Sequence, residues 1–327
     1  MKIFTLCLSP AYDVHCEAEL ALLRENFARV TSREAGGKGV NLARALAALG
    51  IPSRLGLLTG AEDELEFFRG LRADGLDFVS VSLAGPIRRN FTFHGEGGET
   101  RISFPGPSAE AFSGILGAAD TLRRLEEKLG TVEPGDIVTL GGSLPEGLTL
   151  ADAKDFVRRL TARGLRVVID SRSFSAMDLL ELRPWLIKPN EQEFRAMAGP
   201  CVLEEDGTLS IGKAAAVMNG LHGCGIENVM LSLGSRGALL CCSEGVYYAK
   251  AQELEAVSTV GAGDSLIAGY LAGTLGEMPA RDRLALAVAA GAAACLTEGS
   301  RPPERAQIEA FYPTVTVQKL IQQEAIQ

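Results

Sequence analysis

No Cys-x-x-Cys pair occurs among the seven cysteines, at positions 7, 16, 201, 224, 241, 242 and 295, and the chain has only three histidines. Neither a zinc site nor a disulfide framework is indicated, and the thiols are expected to be reduced and in the core. No apolar run is long enough to span a bilayer and no basic, apolar leader opens the chain, so a soluble, cytoplasmic protein with no membrane partner is expected. Positive charge is scarce too: 32 Lys and Arg against 41 Asp and Glu give a formal net charge of −9. That balance argues against a nucleic-acid partner, which needs a basic face. Two nucleotide signatures are also missing. The Gly-x-x-x-x-Gly-Lys-Ser/Thr spacing of a P-loop is absent, and the first βα turn, Leu8-Ser9-Pro10-Ala11, carries no Gly-x-Gly-x-x-Gly fingerprint, which lowers the odds of a dinucleotide-dependent dehydrogenase.

What is present is a βα alternation. Aliphatic or β-branched runs at Ile3–Leu8, Ser53–Leu58, Ile137–Leu140, Arg166–Ile169, Leu186–Lys188 and Val229–Leu233 are separated by helical patterns such as Ala43–Leu49, Ala151–Arg163 and Ile211–Leu221. Continuous apolar strands between amphipathic helices imply a doubly wound α/β fold, with a mostly parallel sheet covered by helices on both faces. At 327 residues the length allows either one large α/β domain or two average ones. Two stretches, about 12–35 and 86–105, break the rhythm with strand-like alternation and a glycine-rich turn at Gly95–Gly98. They read as β strands inserted off the main sheet, placed to cover a crevice at the strand ends as a lid.

The most informative segment is Thr259-Val260-Gly261-Ala262-Gly263-Asp264-Ser265, followed by a helical apolar pattern at Leu266, Ile267, Tyr270, Leu271 and Leu275. A glycine-freed turn opening a helix aims unpaired amides at one point, and these can hold the charge that develops on a transferring phosphate. Asp264, in the first turn, is expected to stay ionised under the helix dipole and to accept a proton from an attacking hydroxyl. The same pattern also fits an ordinary helix start with an acidic first turn. A second glycine turn, Gly36-Gly37-Lys38-Gly39-Val40-Asn41, precedes the helix read from Leu42, so Lys38 and Asn41 are candidates for an anion and for sugar hydroxyls, with helix packing as the alternative. Lys188-Pro189-Asn190-Glu191-Gln192-Glu193 serves equally as helix-start chemistry or as Lys188 and Asn190 on nucleotide phosphates with Glu193 on a water-bound Mg²⁺. Ser232-Leu233-Gly234-Ser235-Arg236-Gly237 joins two strands by a tight turn of the kind that also lines nucleotide clefts. An acidic protein that binds a phosphate ester must gather positive charge locally, and Arg88, Arg89 and Arg101 on the lid strands, with Lys38, are placed to do so.

In this order, Ser9–Asp13, Gly36–Asn41, Gly141-Gly142-Ser143-Leu144-Pro145, Lys188–Glu193, Ser232–Gly237 and Thr259–Ser265 resemble the ribokinase-like PfkB carbohydrate kinases, and the match covers almost the whole chain, read as one domain over 1–327. Ala35–Asn41 and Thr259–Asp264 are most similar to its phosphosugar branch, the 1-phosphofructokinases, tagatose-6-phosphate kinases and their relatives. The resemblance implies ATP-dependent phosphorylation of a phosphosugar, with fructose 1-phosphate as first choice and tagatose 6-phosphate or fructose 6-phosphate as alternatives. It further implies Asp264 as catalytic base and Gly261, Ala262 and Gly263 as anion hole. Asp13, Gly37, Lys38 and Asn41 would hold the sugar, and Arg88, Arg101 and Ser143 would reach its phosphate or hydroxyls. Lys188, Asn190 and Glu193 would serve phosphates and Mg²⁺, Ser232, Gly234 and Gly237 would line the ATP cleft, and the lid would pair between two subunits of a homodimer. The chain departs from the family pattern at Ser258, where many members carry an acid, and at Asp170-Ser171-Arg172-Ser173-Phe174, where Arg172 either touches nucleotide phosphate or shapes a loop. Arg101 resembles 6-phosphofructokinases while Lys38 points the other way, which leaves the sugar open.

Overall fold

Burial follows the apolar runs. A computed structural model of the chain describes residues 1–21, 23–95, 98–112 and 117–320. The strands, in chain order, are β1 (Ile3–Cys7), β2 (Ala11–Glu17), β3 (Arg29–Gly36), β4 (Ser53–Gly60), β5 (Asp77–Leu83), β6 (Arg88–Gly95), β7 (Gly98–Phe104), β8 (Ile137–Gly141), β9 (Arg166–Asp170), β10 (Leu186–Ile187), β11 (Asn228–Ser232), β12 (Ala238–Cys242), β13 (Gly245–Ala249) and β14 (Val317–Leu320). The α-helices are α1 (Lys38–Ala48), α2 (Glu64–Ala73), α3 (Ala118–Leu129), α4 (Leu150–Ala162), α5 (Ala176–Leu182), α6 (Glu191–Ala198), α7 (Ile211–Gly223), α8 (Ala262–Leu275), α9 (Ala280–Ala294) and α10 (Arg305–Phe311).

Ten strands form the main sheet in the order β14-β13-β12-β11-β10-β9-β8-β1-β4-β5. From β5 to β11 neighbours run parallel, and β12, β13 and β14 extend that edge antiparallel. Helices α3 to α7 cover one face, with Leu125, Phe156, Val157, Phe194 and Met218 buried against β8, β9 and β11. Helices α1, α8 and α9 cover the other, burying Leu46, Ile267, Tyr270 and Leu284. The fold is therefore the doubly wound one expected. The chain leaves β1 outward to β4 and β5, then returns to β8 on the other side of β1, which makes the β1/β8 junction the switch point where such sheets bind ligands.

The two inserted stretches form a separate four-stranded sheet, β3-β2-β6-β7. Strand alternation gives it two unlike faces. Tyr12, Val14, Phe91 and Phe93 lie on one face, whose base packs on α2 through Tyr12 and Phe67, ring centroids 5.3 Å apart. Asp13, His15, Asn90 and Ser103 lie on the other. Gly95 pairs with Gly98 where the hairpin turn was expected, and residues 96 and 97 of that turn lie outside the described residues.

Two expectations need correction. The helix after the first glycine turn begins at Lys38, not Leu42, because Gly37, at φ 115°, is where the chain breaks direction and the residues after it are already helical. Lys38 and Asn41 are thus helical residues. The cysteines are free, but Cys201 and Cys224 are exposed, so core thiols describe Cys7, Cys16, Cys241 and Cys242 only. Among the described residues no helix is long and apolar enough to cross a membrane.

Candidate active site

Asp264 sits in the first turn of α8, a helix apolar on all sides and therefore sunk in the core. Gly261 caps it in the left-handed region, φ 78°, and a Cβ there would meet nothing within 4 Å, so this turn faces open space. The helix carries Asp264 inward until its residue is 6% exposed. There it accepts a hydrogen bond from Asn41 Nδ2 of α1 at 3.1 Å. Asn41 Oδ1, also buried, has no hydrogen-bond partner among the described residues, which leaves one acceptor available beside the carboxylate.

Two lysines and a second acid complete the corner. Asp170 ends β9, and its buried carboxylate lies 3.0 Å from Lys38 Nζ and 3.3 Å from Lys188 Nζ. Neither contact is aligned as a hydrogen bond, so the two ammonium groups meet Asp170 as ion pairs. Lys38 reaches over from α1, and its Nζ also donates to the Asp170 carbonyl at 3.3 Å. Lys188 follows β10, is 4% exposed, and lies 3.3 Å from where a Cβ on Gly263 would stand. A side chain at 263 would thus crowd the lysine against the helix start.

Opposing influences act on the Asp264 carboxyl. Burial, and then the Asp170 charge, push the Asp264 carboxyl up to about 7, against the opposing pull of Lys38, Lys188 and the Asn41 hydrogen bond. Desolvation and a like charge thus act on Asp264 beside the helix-start field that was expected to favour its ionised form. Burial works against the Lys38 charge, yet Asp170, Asp264 and Glu193 outweigh it and hold its ammonium above the usual lysine range. The corner therefore pairs a carboxyl pushed up to about 7 with a Lys38 ammonium held in its charged form.

Around it the other expected residues divide. Asn190 caps α6, its Oδ1 accepting from the Glu193 amide at 2.8 Å while Glu193 Oε2 accepts from the Asn190 amide at 2.9 Å. This is the helix-start alternative realised, and Glu193 also faces a 410 Å³ cleft together with Lys188 and Arg172. Arg88 and Ser143 come together on a 170 Å³ pocket beside Ser9 and Pro10, and Arg88 Nε is buried without a partner. Asp13 accepts from Asn90 Nδ2 at 2.8 Å and lies 3.5 Å from Arg101. Arg89 is turned away from the anion cluster, paired at 2.6 Å with Asp63. Gly37 and Gly39 have packing reasons: a Cβ would lie 2.6 Å from Cys7 Sγ and 2.5 Å from the Leu6 carbonyl oxygen, respectively. Ser232, Gly234 and Gly237 span the β11–β12 turn, where a Cβ on Gly237 would lie 2.0 Å from the Ala249 carbonyl oxygen. Sequence reasoning missed Asp170 and Asn90. An acid at the carboxyl end of a parallel strand was the available signal for the first, and a polar residue within a lid strand for the second.

A doubly wound sheet with an inserted β sheet, and a buried carboxylate beside two lysines at a glycine-capped helix start, offer the positioning and charge that phosphoryl transfer needs. The pfkB family carbohydrate kinase pattern matches residues 21–307, and the chain belongs to that family. It is 31% identical to 1-phosphofructokinase of Bacillus subtilis, over 97% of this chain and 100% of that one. It is 30% identical to the Escherichia coli 1-phosphofructokinase, over 97% and 98%. Among solved structures, phosphofructokinase-2 from Escherichia coli in complex with potassium superposes with a TM-score of 0.83 at 27% identity, covering 96% of this chain and 98% of that one.

Proposed function

We propose that the chain transfers the γ-phosphoryl group of ATP to fructose 1-phosphate, giving fructose 1,6-bisphosphate. The observation that carries this reading is Asp264: buried, poised near neutral pH, hydrogen-bonded to Asn41, and set at a helix start beside two lysines. The sugar phosphate occupies the 170 Å³ pocket against Arg88 and Ser143, which gives the buried Nε of Arg88 an anion to meet. Asp13, the Gly37 turn and Asn41 take the sugar hydroxyls, Arg101 assists from the lid, and the acceptor hydroxyl faces Asp264. Asp264 orients that hydroxyl and takes its proton as the bond to phosphorus forms. Lys188 exchanges part of its pairing with Asp170 for the nucleotide phosphates and Lys38 part of its own for the sugar, and the amides of Gly261, Ala262 and Gly263 meet the charge on the transferring group. Ser232, Gly234 and Gly237 line the nucleoside end of the ATP site, and Asn190, whose cap uses Oδ1 and the backbone amide but not Nδ2, turns that Nδ2 to the phosphates.

Among the described residues no group of three or more acid, histidine or cysteine side chains is gathered to cage a metal ion. Mg²⁺ is held by substrate phosphates, waters and one or two carboxylates, and Glu193 on the Lys188 cleft is the carboxylate we assign to it, through water. When bound, Mg²⁺ neutralises phosphate charge. The apolar outer face of the lid leaves Val30, Ile102 and Phe104 at 58%, 43% and 52% exposure, and a second copy of this chain covering it would form a homodimer in the cytoplasm.

A coupled ADP-release assay over fructose 1-phosphate, fructose 6-phosphate, tagatose 6-phosphate and unphosphorylated sugars tests the reading. Fructose 1-phosphate is expected to give the highest kcat/KM. Turnover of an unphosphorylated sugar alone would end the phosphosugar assignment.

A further inference from the structure

The inner face of the lid carries a polar rung. Backbone register sets Asp13 of β2 opposite Asn90 of β6, and Asn90 opposite Ser103 of β7, so the three side chains share one face. Asn90 is 3% exposed, and both ends of its amide are engaged. Nδ2 donates to Asp13 Oδ1 at 2.8 Å, and Oδ1 accepts from Ser103 Oγ at 2.9 Å. Turning the amide over would set its oxygen against the carboxylate, so the donor must face Asp13. The hydroxyl of Ser103 then supplies the proton that the amide oxygen needs. On its other side, Asp13 Oδ2 lies 2.0 Å from where a Cβ on Gly36 would stand, so it fills the space that this glycine leaves beside the start of α1. One oxygen is held by an amide and the other is lodged against Gly36, which gives the carboxylate one orientation. Arg101 reaches the same oxygen only at 3.5 Å from a side chain 56% exposed, and a charge so solvated holds a partner weakly.

We propose that Asn90 is a positioning residue for the sugar substrate, acting through Asp13 by fixing its carboxylate as a preset acceptor for sugar hydroxyls, with Ser103 locking the amide that does so. This rests on the reading of Asp13 as a sugar ligand. Preset acceptors reduce the ordering that binding must otherwise impose, so the contribution falls on sugar affinity and not on ATP affinity.

The test compares the full chain with Asn90→Ala, Asn90→Asp, Ser103→Ala and the Asn90→Ala/Ser103→Ala double variant, on whichever phosphosugar the unaltered protein turns over. Asn90→Ala is expected to raise the sugar KM about tenfold and leave the ATP KM within about twofold. Asn90→Asp sets two carboxylates at a hydrogen-bond contact that only a shared proton can keep, so its sugar KM climbs with rising pH more steeply than in the unaltered protein. Ser103→Ala gives about a threefold rise that does not add to Asn90→Ala. Sugar and ATP KM rising together, an Asn90→Asp profile parallel to the unaltered one, or full additivity of the two alanines would overturn the proposal. Should Asn90→Ala fail to fold, the Asn90→Asp pH profile and the exposed-strand Ser103→Ala decide it. An unaltered protein that turns over no phosphosugar defeats the active-site reading itself, whereas an active one whose variants change only their melting temperature defeats this inference alone.

Discussion

Two glycine-started helices meet at the active site, and although they read alike in sequence they are glycine-rich for different reasons. At α1, Gly37 and Gly39 exist because β1 is in the way: Cys7 Sγ and the Leu6 carbonyl occupy the space a Cβ would need. At α8, Gly261 borders nothing, and its left-handed φ turns the helix start toward open space, with Gly263 leaving room for Lys188. The first turn brings Asn41 close by packing, and the second sets Asp264 beside it at a helix start that borders open space. Glycine density marks close approach, but only the neighbour, backbone or open space, tells packing from recognition.

The sharpest way to break this comparison is Asp264→Asn, expected to lower turnover by about 10²-fold or more while the fold persists. It also carries a stability signature. The folded carboxyl sits near 7, above an unfolded carboxylate, so between those values the folded state binds more protons and stability falls as pH rises through the window. Melting curves should therefore show the asparagine variant gaining on the unaltered protein from pH 5 to pH 8, and near-normal turnover would remove Asp264 from the mechanism. Next in size, Gly39→Ala drives a methyl into the Leu6 carbonyl and should cost about 1–3 kcal/mol in denaturant unfolding, with KM values little changed in the folded fraction. Gly261→Ala should cost about 1–2 kcal/mol for its left-handed backbone yet lose more than about tenfold in turnover, the opposite ratio. Asp170→Asn removes a like charge from beside Asp264, so the acidic limb of kcat/KM against pH moves to lower pH, and an unmoved limb would show that burial alone sets the base. The smallest effect belongs to the lid: Arg89→Gln, paired outward with Asp63, should change the sugar KM by less than about twofold.

The main sheet was legible because parallel strands buried on both faces leave continuous aliphatic runs, as at Ile137–Leu140 and Val229–Leu233. The lid was legible for the opposite reason, since alternation of Phe91 and Phe93 with polar neighbours marks a two-faced sheet. The start of α1 was misplaced because Lys38 to Asn41 carry no apolar periodicity of their own, being packed through glycine and backbone. Asp170 and Asn90 escaped notice because each matters through a partner distant in sequence: Lys38 lies 132 residues from Asp170, and Asn90 lies 77 from Asp13. Arg88 and Arg89 are adjacent and chemically identical, so strand alternation parts them but only the packing of β6 decides which goes to the 170 Å³ pocket and which to Asp63.

By itself the sequence determined the layered α/β fold, the inserted β sheet and the family, because hydrophobic period and ordered motifs are local properties of the chain. Only the tertiary structure decided the burial that pushes the Asp264 carboxyl up and the clustering of Lys38, Lys188 and Asp170 near it. Desolvation and charge interaction depend on distance through the folded interior, and no spacing along the chain encodes that distance.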